Sequence, residues 1–326
     1  MKKSIFLFHG PNNFQTYQKL KFWKEGFIKK FGNDALEVIE GKELMQTDFL
    51  TNIQALPFLT EKRLIIIKDF LQEKNKDEHK LIAENLDNAH ESCLVIFYET
   101  SAVEKSNPVY KKISKIGEVH ELHDLKPIEI NRWIQEKAKA ENINIDFSAS
   151  NYLNQHCGTN LWTLNNELQK LKSFCLNEKV TQEAINALCT PSLSSSIFKL
   201  IDFIAEKNYK KALQSLEILH ENNEDPIKIF FMIVRNFRIL IQVLEMLQKG
   251  ENQITITKKL NQHPFVIQKT IAQSRNFKIQ EVQKIYEKLL EIDIKTKTGV
   301  IKSFGNNDTQ FKLAVEHFII DCCRKN

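Results

Sequence analysis

The sequence predicts an α/β domain built on a parallel sheet, followed by an all-helical remainder, and three observations carry that expectation. Short apolar, β-branched runs alternate with helical stretches over the first third of the chain. After about Pro127 the strand signals disappear and apolar residues recur at helical spacing. At 326 residues the chain also exceeds the length at which one core usually suffices, so two or three domains are expected.

Ile5 to Phe8 reads as a short buried strand, and Gly10 to Asn13 as a loop with an Asn cap. The next helix carries Tyr17, Leu20, Trp23, Phe27 and Ile28 on one broad face. Leu36 to Ile39, Leu64 to Ile67, Leu94 to Tyr98 and Val119 to Leu122 are further strands. With helical patterns between most of them, the strands must run parallel and be joined by crossover helices. The charged segment Glu73 to Glu78 reads as a solvated loop entering a helix.

Four short amphipathic helices follow, at Ile128 to Asn142, Ser148 to His156, Leu161 to Leu171 and Thr181 to Leu188, with Ser148, Thr159 or Asn160, and Thr181 as caps. Cys189 to Ser196 is the clearest linker, since Pro191 breaks a helix and the serines favour turns. Beyond it five or more helices are expected, among them Phe198 to Glu206, Tyr209 to His220, Pro226 to Gln248, Phe265 to Arg275, Ile279 to Lys297 and Gln310 to Cys323. The expected domains are therefore 1–127, 128–190 and 191–326.

The apolar fraction of 42% and the charged fraction of 27% suit a folded, soluble chain. Its net charge of +5 is uneven: from Ile197 onward 21 Lys and Arg face 15 Asp and Glu, whereas residues 1–196 carry 25 against 26. The basic excess thus lies in the C-terminal part, which suits contact with nucleic acid without demanding it. Six cysteines without CxxC spacing read as free thiols in a reducing cytosol, and no zinc site is legible. The N-terminal apolar run is cut short at His9 and Gly10, far below the length of a signal-peptide core or membrane span, so a cytoplasmic protein is expected.

Gly10 stands where a phosphate-binding loop would sit in a nucleotide-binding α/β domain. Such a loop needs a second glycine, a Lys for charge and a Ser or Thr for the metal. Gly10, Asn12 and Asn13 come without the Lys or the second Gly, so a degenerate, non-binding loop and no ATP cofactor are expected. The strand ending at Tyr98 and Glu99 has no Asp before Glu99, so no acidic pair forms for a metal and Glu99 reads as a solvated strand end. The nine histidines are scattered; His120, His123 and Asp124 lack a further ligand and read as ordinary surface residues. No catalytic constellation assembles, and neither a catalytic nor a metal site is expected.

The stretch from Gln54 to Arg63 places Leu56, Phe58 and Leu59 just before the apolar strand Leu64 to Ile67. Either these side chains fold into the core, as large apolar residues usually do, or they form an exposed plug for a partner's pocket. Lys295, Lys297 and Lys302, at and beyond the end of a long helix, are candidates for contact with DNA, although the helix dipole favours cations there in any case. Arg235 and Arg238, at i and i+3, suit a phosphate, a neighbouring subunit or internal ion pairs.

In order and in local sequence, the chain resembles the delta subunit of the bacterial DNA polymerase III clamp loader. The matching stretches are Phe8-His9-Gly10; Gln54 to Leu59; Pro108-Val109-Tyr110-Lys111; Asn160-Leu161 with Leu164 to Leu171; Phe230 to Arg238; and Leu289 to Asp293 with Lys297-Thr298-Gly299. Each is weak alone; their order across almost the whole chain makes the resemblance specific. It implies a degenerate AAA+/RecA-like domain, a small helical lid and an all-α collar that assembles with the other loader subunits. It further implies that the protein binds the sliding clamp (the beta subunit) and helps hold it open for loading onto primed DNA. Other subunits would hydrolyse ATP, so the chain would belong to a DNA-directed DNA polymerase holoenzyme without an active site of its own. In the family, adjacent apolar residues just before the third strand enter the clamp's pocket; here those are Phe58 and Leu59, with Leu56 beside them and Pro57 fixing the turn. The resemblance favours the plug over the buried alternative.

Two rivals compete with this reading. An independent DNA-binding protein or nuclease would use the basic C-terminal part, but clustered carboxylates or a denser basic stripe would be needed. A delta-prime-type loader subunit would resemble its family by a zinc-binding cysteine cluster and a Ser-Arg-Cys arginine finger, and the sequence has neither.

Overall fold

The computed structural model describes residues 4–44, 46–57, 60–73, 75–176, 178–303 and 308–324. They form two compact units, one up to Lys126 and one from Pro127 onward.

The first unit is built on five parallel strands: β1 (Ile5–His9), β2 (Leu36–Glu40), β3 (Arg63–Lys68), β4 (Cys93–Tyr98) and β5 (Glu118–Glu121). Their spatial order is β2-β3-β4-β1-β5, the RecA-like arrangement. The register pairs Ile65 with Val95 and Ile5 with Val95, so the apolar strands β3, β4 and β1 occupy the middle, while the more polar β2 and β5 form the edges. Alternation along each strand supplies both faces. Phe6, Phe8, Leu64, Ile66 and Ile96 point to the side covered by α1 (Asn13–Phe31), against Leu20, Trp23 and Phe27. Leu7, Ile65, Ile67, Val95 and Phe97 face α2 (Gln46–Gln54), α3 (Lys76–Asn85) and α4 (Pro108–Ile116), meeting Phe49, Ile53, Ile82, Val109 and Ile113. Each such fully buried aliphatic or aromatic side chain contributes on the order of 1.5–3 kcal/mol of burial energy.

The second unit is wholly helical among its described residues: α5 (Pro127–Ala140), α6 (Phe147–Cys157), α7 (Leu161–Cys175), α8 (Gln182–Leu188), α9 (Leu193–Ala205), α10 (Tyr209–Glu221), α11 (Pro226–Gln248), α12 (Gln253–Leu260), α13 (Pro264–Ser274), α14 (Ile279–Lys297) and α15 (Thr309–Cys323). Helix α11 runs through the main core, where Ile229, Phe230, Ile233, Phe237 and Leu240 meet α9, α10, α14 and α15. It begins where the sequence requires, with Pro226 in the first turn and Asp225 accepting the amides of Ile227 and Lys228.

Two details depart from expectation, and one helix was not expected. The cap of α6 is Asp146 and not Ser148, because the Asp146 carboxylate accepts the Ala149 amide at 2.7 Å. Half of the expected linker at 189–196 is the first turn of α9: Ser192 caps it, and the Ser192 amide donates to the His156 carbonyl at 2.8 Å. Serine favours turns and helix caps alike, and the apolar run that follows it decides for the cap. Helix α12, with no expectation attached, is short and polar on most of its surface, burying only Ile256. Among the described residues all six cysteines are free thiols, five of them buried. No single described helix is long and apolar enough to cross a membrane.

Candidate partner-binding site

Three places on the first unit hold the residues singled out in the sequence: the loop after β1, the end of β4, and the segment between α2 and β3. The loop is closed on itself. Gly10 adopts φ +137°, and a Cβ there would lie 2.1 Å from the Leu122 carbonyl oxygen, so only glycine fits. The Asn12 amide donates to that same carbonyl at 3.1 Å, and the Gly10 amide donates to Ser101 at 3.3 Å. Asn12 is buried and caps α1: its Oδ1 accepts the Gln15 amide at 3.1 Å, while its Nδ2 donates to Gln15 Oε1 and to the His123 carbonyl. Asn13 is the exposed first residue of α1. The backbone amides of Gly10 and Asn12 are thus spent on carbonyls that follow β4 and β5.

At the end of β4 the sequence reading is overturned. Glu99 is fully buried, because the chain leaving β3 folds across the strand end and packs Phe70 and Leu71 inside. Glu99 Oε1 accepts the Leu71 amide at 2.9 Å and Oε2 accepts the Gln72 side-chain amide at 3.2 Å. Burial dominates these bonds and pushes its pKa up to about 8, so at neutral pH the group is a neutral acid. Beside it, Asp69 Oδ1 accepts both the amide and the hydroxyl of Thr100. His9, also fully buried, accepts the Val103 amide on Nδ1, and burial lowers its pKa. His120 packs its ring edge-on against Phe8 and pairs with Glu118, while His123 is largely exposed beside Glu121. No group of acidic, His and Cys side chains suited to a metal occurs among the described residues.

The segment between α2 and β3 is pinned at both ends. Phe49 and Ile53 anchor α2 in the core, and the Ile53 carbonyl accepts the His90 amide at 3.0 Å. On the far side, Arg63 opens β3 and its guanidinium reaches back: Nη1 donates to the Asn52 carbonyl at 3.2 Å, and Nη2 to Asn52 Oδ1 while pairing with Glu37 on β2. Asn52 completes the triangle by donating to Glu37 Oε1 at 3.2 Å. A planar fork binding a carbonyl and a carboxylate at once is a geometry that Lys lacks. Between these anchors Leu56 is 69% exposed. Phe58 and Leu59 lie outside the described residues. The Thr60 hydroxyl donates to the Lys62 carbonyl at 2.8 Å. The Arg63–Asn52–Glu37 triangle escaped the sequence reading, because it joins three elements 11 and 26 residues apart.

On the second unit, Lys295 and Lys297 pair with Glu291 and Asp293 one turn earlier, at 3.8 and 2.8 Å. The exposed Lys302 is fixed through its backbone amide, which donates to Gln310 Oε1. Arg235 donates to Gln262 and is not in an ion pair among the described residues; burial and the Arg238 charge lower its pKa.

The family model for the DNA polymerase III delta subunit matches residues 23–122, and a second, for the C-terminal domain of that subunit, matches residues 194–321. The chain belongs to the DNA polymerase III delta-subunit family. Within that family it is 29% identical over 301 residues to the DNA polymerase III subunit delta of Bacillus subtilis, covering 89% of this chain and 84% of that one. It is 26% identical over 264 residues to the probable delta subunit of Aquifex aeolicus, covering 77% of this chain and 73% of that one. The fold also matches the solved Bacillus subtilis DNA clamp loader delta protein, with a TM-score of 0.58, 23% identity, and coverage of 99% of this chain and 96% of that one. The stretch shared with the delta-subunit family spans Arg63, Glu99 and the whole α2–β3 connection.

Proposed function

We propose that this delta-family chain binds the sliding clamp through the tip between α2 and β3 and helps hold the ring open during loading onto primed DNA. The observation that carries the reading is an exposed apolar side chain, Leu56, on a connection whose two stems are tied together by Arg63. An apolar tip held on rigid stems loses little freedom on docking, and that is what a pocket-filling anchor requires. Phe58 and Leu59 complete the plug, and Pro57 sets the turn that presents them. Binding energy opens a closed ring only through the difference in affinity for its two states, so the chain acts as a wrench and not as a catalyst.

In this reading residues 1–127 form the clamp-binding domain, 128–190 a helical lid and 191–326 the collar that joins the other loader subunits, in the cytoplasm. ATP is hydrolysed elsewhere in the assembly, in keeping with a β1 loop whose donors are spent internally and a neutral Glu99. The test is a pull-down on purified clamp, comparing wild type with the Phe58→Ala/Leu59→Ala double variant, with folding checked by circular dichroism. Loss of the anchor is expected to weaken binding by about 2 kcal/mol or more. Absence of wild-type binding overturns the function; equal binding by the variant overturns the plug assignment alone.

A further inference from the structure

The basic excess of the C-terminal part has a structural focus, and it is not the pair of lysines that ends α14. A cavity of about 570 Å³ opens between the start and middle of α14, the turn after α9 and the end of α15. Its walls carry Lys207, Lys278, Lys284, Lys288 and Arg324 against only two carboxylates, Glu281 and Asp321. Those two are already matched: Glu281 pairs with Lys207, and Asp321 with Lys288 at 3.4 Å and Arg324 at 3.6 Å. Lys278 and Lys284 are exposed and have no ion pair among the described residues. The cavity therefore holds a surplus of three positive charges, two of them on uncommitted ammonium groups. Lys207 is also tied by its Nζ to the Cys322 carbonyl at 3.0 Å, which fixes one wall.

We infer that this groove binds the phosphate backbone of DNA, as a contact separate from the clamp-binding tip and independent of it. The composition of the groove selects the class of partner. Protein–protein interfaces are depleted in lysine at their centre and anchored by aromatic or arginine side chains. Among the described residues, Ile285 and Cys322 are the apolar lining residues and no aromatic residue lines the walls. Interfaces with nucleic acid are polar, strongly positive and rich in lysine. Concave shape favours a flexible single strand, which can follow the walls, over a stiff duplex. Contacts of this kind go to phosphates and are blind to sequence.

The assay is fluorescence anisotropy of the full-length chain with labelled oligothymidylate, repeated from 50 to 300 mM salt, on wild type, Lys278→Gln/Lys284→Gln and Lys295→Gln/Lys297→Gln. Each phosphate contact on a single strand contributes about 0.7 to the slope of log K against log salt, so the groove variant should lose about 1.4 from the slope. Its affinity at 100 mM salt should fall about tenfold. The α14-end variant, whose lysines are already paired, should keep the wild-type slope. A duplex of the same sequence is expected to bind more weakly than the single strand. The inference is overturned if the groove variant keeps the wild-type slope, or if the α14-end variant loses more than the groove variant. It is also overturned if the groove variant binds DNA normally yet no longer joins the other loader subunits, which would make the groove a seat for an acidic protein face. Clamp pull-down by the groove variant should be unchanged, so failure here and failure of the clamp reading are separable.

Discussion

Replacing Glu99 by Gln should remove one steady loss of stability with rising pH that the wild type carries. Glu99 is enclosed at the end of β4 and its pKa rises to about 8 from the ordinary 4.5, chiefly through burial, against the opposing bonds from Leu71 and Gln72. The native state therefore keeps a proton that the unfolded chain releases. Below about pH 4.5 both states are protonated and nothing is lost. Above it, folding must hold the proton against the solvent, and stability falls by about 1.4 kcal/mol per pH unit until about pH 8, a total of roughly 5 kcal/mol. Glutamine is neutral throughout, can still accept the Leu71 amide and has nearly the same shape. Urea denaturation of both proteins at pH 5, 6, 7 and 8 isolates the effect, since other titrating groups cancel in the difference. The variant's advantage should grow by about 3–4 kcal/mol between pH 5 and pH 8. A constant difference across that range would mean that Glu99 is ionised in the native state, and the account of a neutral strand end would fail.

Other consequences are open to direct measurement. Gly10→Ala places a methyl group against the Leu122 carbonyl at a left-handed backbone position; a loss of about 2 kcal/mol or more is expected, read as a lowered melting temperature. Arg63→Lys keeps the charge but loses the fork that bridges Asn52 and Glu37, and should cost about 1–2 kcal/mol in chemical denaturation. If the stem serves the tip, the same variant binds the clamp more weakly at a temperature where it is fully folded; unchanged affinity would detach Arg63 from recognition. Leu56→Ser alters a side chain that is 69% exposed, so stability should stay within about 0.5 kcal/mol while clamp affinity, measured by surface plasmon resonance, drops. A comparable fall in melting temperature would show instead that Leu56 is packed in solution.

Periodicity made the sheet legible because each central strand is an unbroken apolar run, and Ile65, Ile66 and Ile67 leave no other reading for a strand buried on both faces. Capping made the helices legible at Asn160, Thr181 and Asp225, where the side chain that accepts the first amides is also the residue type that stops the preceding chain. Local rules failed where a distant segment decides the environment. Glu99 looks solvated from its neighbours in sequence, and only the fold of residues 69–72 over it removes the water. The serines after Pro191 signal a turn and a cap equally, and the apolar run from Ile197 onward made the choice. The same limit hid the basic groove: Lys207, Lys278, Lys284 and Arg324 are scattered along the chain, whereas Lys295 and Lys297 stand out as a cluster but carry their counterions one turn away.

The sealed loop after β1 has a bearing on how this chain could take part in a timed cycle. A protein whose conformation is set by a bound nucleotide carries its own clock, since each exchange of ligand resets the balance between two shapes. With Gly10 wedged against Leu122 and Asn12 stitched to Gln15 and His123, the donors of this loop are committed to the first unit's own acceptors. If the tip meets a partner as proposed and the loop takes no nucleotide, any moment at which the tip is shown or hidden is dictated by whatever surrounds it. Mutations that disturb such timing should map to the faces this chain shares with its neighbours and spare the loop itself.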